Sequence, residues 1–465
     1  MAESDTTRIS SADLFKDLIF WAAVSTCMFL PVVGLTTYSD QATNSFRLNF
    51  LNPDFGFGKR FGGLITTAVI VGLILAVRLF VLLRPQRPEH KTPSKFAQTM
   101  SRIGMSPWVM WFGAGLAIVF PLVMLGTLGD KGSLKWIDSY GIQIMIYIML
   151  GWGLNIVVGM AGLLDLGYVA FYAVGAYSYA LLSVYYGMTF WECLPIAGFL
   201  AALWGIILGF PVLRLRGDYL ALVTLAFGEI IRSVLVNWKS FTHGNDGITS
   251  IKPPTFFGIP FTAGPNGFAK TFDLAFSPIH GKIFFYYVIL ILAVMTAYIT
   301  SRMRRLPVGR AWEALRENEI ACRSLGINTT TTKLAAFASG ALFGGLAGAF
   351  FAAKQGFINP ESFVFQESVM VLAIVVLGGS GSLLGVVVAA VLLVGGSEIL
   401  RELTFMKWIF GPDFDPSQYR PMIFGLAMVS MMLWKPRGLI SNRAPTVYLK
   451  ERKIVSGALV QEGHG

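Results

Sequence analysis

Chemistry on a substrate needs nucleophiles, acids, bases or metal ligands at workable spacing, and this chain offers few. Its three cysteines, Cys27, Cys193 and Cys322, are far apart, and no CxxC occurs. Cys27 and Cys193 sit in apolar segments and Cys322 in a charged one, so all three are expected to be unpaired structural thiols. His90, His243, His280 and His464 fall in polar connectors or the tail without metal-ligand spacing, and no metal site is expected. A phosphate-binding GxxxxGK followed by Ser or Thr is absent; Gly56-Phe-Gly-Lys-Arg60 lacks both the spacing and the hydroxyl. Nor does a GxSxG, HExxH or dinucleotide fingerprint stand in a suitable context. No catalytic residue and no cofactor are expected in this chain. Passage of a solute is better supported than its conversion.

The polar residues of interest are those inside apolar stretches, where an ionisable group is costly. Asp165 lies in Gly162-Leu-Leu-Asp165-Leu-Gly167, either hydrated near an interface or capping a helix start. Glu229 and Arg232, three residues apart, share a helix face as a structural ion pair or as the wall of a polar cavity. Glu398 and Arg401 repeat the spacing near a helix end, where snorkelling suffices. Asn155 and Thr224 join Asp165, Glu229 and Arg232 as candidates for a translocation path by polarity within spans. A different feature runs from Gly309 to Gly326 and reads as one short amphipathic helix with glycines at both ends. Trp312, Leu315 and Ile320 supply an apolar stripe; Glu313 with Arg316 and Glu319 with Arg323 supply local pairs. Such a segment lies on lipid headgroups or docks a cytoplasmic partner through its apolar ridge.

The elements that carry these residues follow from composition. Of 465 residues, 54% are hydrophobic and 14% charged, with a net charge of +11. So few charges cannot cover a soluble surface of this size, and the chain is placed in a membrane. Residues 1–17 carry four acids against two bases, the wrong start for a cleavable signal, so the first apolar stretch is expected to stay as a membrane helix. The fold class expected is an all-α polytopic bundle of about 11–12 transmembrane segments. The spans fall near 18–37, 62–83, 108–128, 137–158, 163–186, 191–213, 218–238, 283–301, 334–354, 367–379, 383–400 and 421–434. The run 369–377 is short enough to be re-entrant. Basic residues cluster at 78–102, at Arg214 and Arg216, at 302–333 and in the tail. With twelve spans all of these fall on one side, the cytoplasmic one, with both termini there and connector 239–282 outside.

Residues 1–107 read as an appendage of two helices and a basic linker, 108–135 as a third helix and outer turn, 136–438 as the core with the loop 302–333, and 439–465 as a cytoplasmic tail. Span 334–354 carries Gly340, Gly344 and Gly348 at spacing four, which lets another helix approach to backbone contact. Gly378-Gly-Ser-Gly-Ser382 then breaks the next apolar run, as a turn or a broken helix.

Four segments in order resemble one family. They are Asn155 to Tyr177, Leu213 to Arg232, Arg310 to Gly326, and Ala373 to Gly379. The third resembles the EAA loop of bacterial ABC importer permeases. Together they resemble the LivM-type subunit of the branched-chain amino-acid permease family over about two-thirds of the chain, and the three extra N-terminal helices look like its longer members. The resemblance implies an inner-membrane importer subunit that takes up leucine, isoleucine or valine by alternating access. Its implied partners are a second homologous permease, two cytoplasmic ATPase subunits that bind ATP and Mg, and a periplasmic binding protein, with membrane lipid around it and no nucleic acid. Gly309, Arg310, Trp312, Glu313, Leu315, Arg316, Glu317, Glu319 and Gly326 would be the ATPase-coupling residues. One departure stands out: where the family usually shows Thr-Gly-Gly-x-x-Gly, this chain reads Thr242-His243-Gly244-Asn245-Asp246-Gly247. The alternative function is a secondary transporter or channel for small amino acids or amides that works without ATPases; gene neighbours would separate the two.

Overall fold

The computed structural model describes residues 107–396 with short gaps, a hairpin and scattered helical positions between 18 and 75, and isolated positions between 422 and 440. Cys27, His90, Arg214, Arg216, Glu398, Arg401, most of the spans 18–37, 62–83 and 421–434, and the tail beyond 440 lie outside the described residues. The chain divides into two compact units, Met1–Ser94 and Lys95–Gly465. In the first, β1 (Thr37–Asp40) pairs antiparallel with β2 (Ser45–Leu48), Thr37 opposite Leu48. This small hairpin is absent from the purely helical expectation.

Helices dominate the second unit because only a helix satisfies its own backbone in lipid. Leaving aside single turns at Lys239–Thr242 and Phe268–Thr271, those among the described residues are, in order, α1 (Pro107–Lys135), α2 (Gln143–Leu154), α3 (Val169–Tyr185), α4 (Phe190–Val212), α5 (Asp218–Asn237) and α6 (Ile279–Arg305). Then come α7 (Pro307–Glu317), α8 (Glu319–Ser324), α9 (Thr329–Gln355), α10 (Phe365–Gly378) and α11 (Leu383–Ala390). Wider π-helical turns flank α2 at Trp136–Ile142 and Asn155–Met160. Among the described residues, six stretches are long and apolar enough to cross a membrane: Gly132–Met160, Phe190–Val212, Asp218–Asn237, Ile279–Arg305, Thr329–Gln355 and Pro360–Gly378. Shorter apolar helices occupy Gly113–Gly129, Val169–Tyr185 and Leu383–Gly395. These fall on the spans expected from 108–128 to 383–400.

Two boundaries differ from the sequence reading. The span read as 163–186 begins as helix only at Val169, and 161–168 is a turn. The short run 369–377 is lengthened by the turn Pro360–Phe363 into a stretch of crossing length.

The helix α9 is the axis of the bundle, buried along most of its length. It packs against α2, α3 and α4 at backbone distance. A Cβ at Gly348 would overlap the Tyr172 carbonyl oxygen, and one at Gly345 would overlap the Ala201 side chain. A Cβ at Gly340 would lie 2.6 Å from Val157 Cγ2 and 2.9 Å from the Gly153 oxygen. At Gly344 the nearest atom is the Tyr168 hydroxyl, 3.0 Å away. Tyr168 also donates that hydroxyl to the Gly340 carbonyl at 2.8 Å.

Backbone cannot move aside as a flexible side chain can. We therefore expect Gly345→Ala and Gly348→Ala each to cost about 1–3 kcal/mol through overpacking. Gly344→Ala should cost clearly less. Thermal unfolding of the three variants in detergent checks the ranking, and equal Tm values would remove close helix contact as the reason for these glycines.

Candidate functional site

The segment between α6 and α9 is built in two pieces. The helix α6 ends in Arg302, Arg304 and Arg305; Leu306 is extended and Pro307 opens α7, where its missing N–H costs nothing. The helix α7 stops before Asn318, which has extended backbone (φ −160, ψ 110). Its side-chain oxygen accepts from Ile320 N (2.9 Å) and Ala321 N (3.0 Å) and so starts α8. The single helix expected over Gly309–Gly326 is therefore two helices. An asparagine that can hydrogen-bond the next turn competes with helix continuation, and here it wins. Gly326, with φ 80, ends the segment.

The apolar stripe divides in the same way. Trp312 is fully buried and donates its indole N–H to the Thr332 carbonyl (2.9 Å), while Leu315 is buried beside it. Ile320 is 64% exposed. The first two residues anchor α7 to the bundle instead of forming an outward ridge. Gly309 presses on the end of α6, where a Cβ would overlap the Met303 carbonyl and lie 2.5 Å from Arg304 Cα. Glu313 accepts from Arg304 (2.9 Å), a partner that the spacing within the segment did not suggest. Arg316 turns inward and donates to the Gly159 carbonyl. Glu319 accepts from Arg323 (2.8 Å) and from the buried Lys333 (3.0 Å). Cys322 is buried under α8, and burial, with the Glu319 charge nearby, holds its thiol above the usual range. The exposed surface includes Arg310, Glu317, Arg323 and the apolar side chains of Leu306, Val308, Ile320 and Leu325.

The polar residues within the spans fall into three separate groups. Asn155, fully buried at the start of a π turn, accepts from Gly381 N at 2.8 Å. Asp165 and Thr224 form the second group. Asp165 does not cap α3; its Oδ1 accepts from Gly167 N (2.9 Å) inside the turn 161–168. Its carboxyl is buried. Thr224 accepts from Leu166 N (3.0 Å) and donates to the Ala221 carbonyl (3.0 Å). A Cβ at Gly167 would overlap the Thr224 carbonyl, so these residues pin the turn onto α5. Glu229 and Arg232 make the third group. They stand 3.9 Å apart, but Arg232 lies closer to Glu361, at 2.8 Å. Glu229 is half exposed, so the pair is not a buried one. Sequence reasoning missed Glu361, Lys333, Asn318 and the inward turn of Arg316. Asn318 before Glu319 was a readable helix start; the others depend on residues far away in the chain.

The departure at His243 has a backbone meaning. His243, Gly244 and Gly247 all have left-handed φ, at 62, 57 and 70. Glycine adopts that region freely and other residues at a cost. His243 and Tyr185 share a hydrogen bond of 2.7 Å between Nε2 and the hydroxyl. Ile248 and Ile358 exchange two backbone bonds of 2.9 and 3.0 Å, which tie this turn to the loop after α9. We expect His243→Gly to be near neutral, since lost strain offsets the lost bond and a freer unfolded chain. His243→Val should be worse than His243→Gly by about 1–2 kcal/mol. Thermal unfolding decides, and equal Tm values would contradict the strained turn.

This arrangement joins an apolar helical bundle to a surface segment with exposed apolar side chains. The family model described as "Branched-chain amino acid transport system / permease component" matches residues 137–432. The high-affinity branched-chain amino acid transport system permease protein LivM of Escherichia coli is 52% identical over 340 residues, covering 72% of this chain and 75% of the relative. Its namesake from Salmonella typhimurium is 52% identical over 311 residues, covering 66% and 70%. A probable LivM permease of Methanocaldococcus jannaschii is 24% identical over 268 residues, covering 56% and 72%. No solved structure gives a significant match. With the family model matching residues 137–432 and about half of the aligned residues identical in the two bacterial relatives, the chain belongs to the family of branched-chain amino acid transport permease components.

Proposed function

We propose that this chain is one of two permease subunits of an ATP-driven importer for leucine, isoleucine and valine, working by alternating access. The substrate class follows the names of its relatives. The observation that carries the mechanism is the form of 307–326. A segment anchored inward by Trp312 and Leu315, yet carrying Val308, Ile320 and Leu325 outward with Leu306 just before it, is shaped to be held from both sides. We assign its outer face to the cytoplasmic ATPase subunits, which bind ATP and Mg; this chain needs no cofactor of its own. The basic end of the bundle then faces the cytoplasm with both termini, in the bacterial inner membrane. The turn around His243 and the connector 239–282 face the periplasm and receive the binding protein. Gly309 and the Glu313–Arg304 pair seat the segment on α6, and Glu319 fixes it to Lys333 of α9.

Exposed apolar residues at the centre of an interface dominate its affinity. Ile320→Glu combined with Leu325→Glu should lower co-purification of the ATPases at least tenfold, with insertion and Tm unchanged. Affinity purification from native membranes, followed by leucine uptake into vesicles with and without ATP, tests the whole reading. Recovery of the wild-type chain alone, still moving leucine without ATP, would replace it with the secondary-transporter function.

A further inference from the structure

One side chain of α7 reaches inward to a point where three parts of the chain converge. Arg316 Nη1 donates to the carbonyl of Gly159, in the π turn that ends α2. The last carbonyls of a helix lack intrahelical partners, and a cation there also faces the negative end of the helix dipole. Gly162, with φ 72, lies under the Arg316 stem: its Cβ would be 2.8 Å from Arg316 Cγ and 3.2 Å from Cα. Gly381, with φ 89, lies at the other side, its Cβ position 3.5 Å from both Nη1 and the Gly159 oxygen. Gly381 belongs to the tight turn between α10 and α11, and its N–H donates to Asn155, at the start of the same π turn. The end of α10 is in turn held by 438–440, through Leu439 N to the Leu377 carbonyl (2.8 Å) and Ile440 N to the Gly378 carbonyl (3.1 Å). Three glycines from two elements thus make a fitted cradle for one guanidinium.

We propose that Arg316 is the residue that transmits movement of α7 to the bundle. Its charge-assisted bond to Gly159 obliges the π turn, and with it Asn155 and the α10–α11 turn, to follow any displacement of α7. Arg316 is a positioning residue and need not contact an ATPase subunit or a substrate. A π turn suits this role because its wider ring is a weak point in an otherwise stiff helix. The inference rests on the reading of 307–326 as the ATPase seat.

The test uses the complete complex of both permeases, both ATPases and the binding protein in proteoliposomes, with leucine as the probe. Three quantities are read: recovery of the ATPases, Tm, and leucine moved per ATP hydrolysed. Arg316→Gln should lower leucine per ATP at least tenfold while ATPase recovery and Tm stay near wild type. Arg316→Lys, which keeps a charged donor, should retain half or more of the wild-type ratio. Gly162→Ala should reproduce the Gln phenotype by displacing the arginine, and it supplies the decision if Arg316→Gln does not assemble. A wild-type ratio in Arg316→Gln, or in Gly162→Ala in that event, overturns the transmission role and leaves the ATPase seat intact. Loss of ATPase recovery in Arg316→Gln overturns it in favour of docking. Failure of the wild-type chain to recover ATPases overturns the seat and this inference together.

Discussion

The atoms of Gly345 in α9 occupy the place where a Cβ on Gly175 of α3 would be, and the Tyr172 carbonyl occupies the place of one on Gly348. Close approach of helix backbones at these points is the constraint on which the bundle depends. In lipid, burial of apolar side chains does not by itself drive helices together, because the tails are equally apolar. Dispersion contact and a few directed hydrogen bonds must do it. The small residues of α9 allow the approach, and Tyr168, buried between α3 and α9, adds a hydrogen bond to the Gly340 carbonyl.

A stiff axis of this kind has consequences at its basic end. There α9 starts at the Asn328 cap, which accepts from Thr330 N and Thr331 N, and offers the Thr332 carbonyl to Trp312. The pair α7 and α8 is therefore seated on the same helix that organises the core. Lys333, one residue on, holds Glu319 of α8. A segment attached at so many points moves as a unit, and its inward arginine meets the end of α2 where the helix is already widened. At the opposite end the constraint is backbone conformation. The left-handed sequence His243, Gly244 and, after two residues, Gly247 folds the turn tightly enough for Ile248 to pair with Ile358.

The division between what was legible and what was not has a physical basis. Long apolar runs, few charges and small residues at spacing four are local properties of the chain. They determined membrane insertion, the helical class, the approximate spans and the glycine face of α9. The four-segment resemblance determined the family, and the Glu319–Arg323 pair, a local (i, i+4) contact, was readable too. The hairpin at Thr37–Leu48 was not, since four-residue strands carry too little pattern to compete with neighbouring apolar runs.

Tertiary structure decided the direction in which each polar or apolar side chain of 309–326 points. Spacing put Glu313 on one face with Arg316; the packed structure adds Arg304 at the end of α6 as a partner of Glu313 and the Gly159 carbonyl as a partner of Arg316. Spacing likewise joined Trp312, Leu315 and Ile320 in one stripe, until Asn318 broke the helix and turned Ile320 outward. Asp165, read as hydrated near an interface or as a helix cap, accepts from Gly167 N inside the turn 161–168, and Arg232 pairs with Glu361 in the turn before α10. A sequence fixes which residues share a helix face. Which partner that face meets depends on other elements, some near in the chain and some more than a hundred residues away, and only the packed backbone brings them within hydrogen-bond distance.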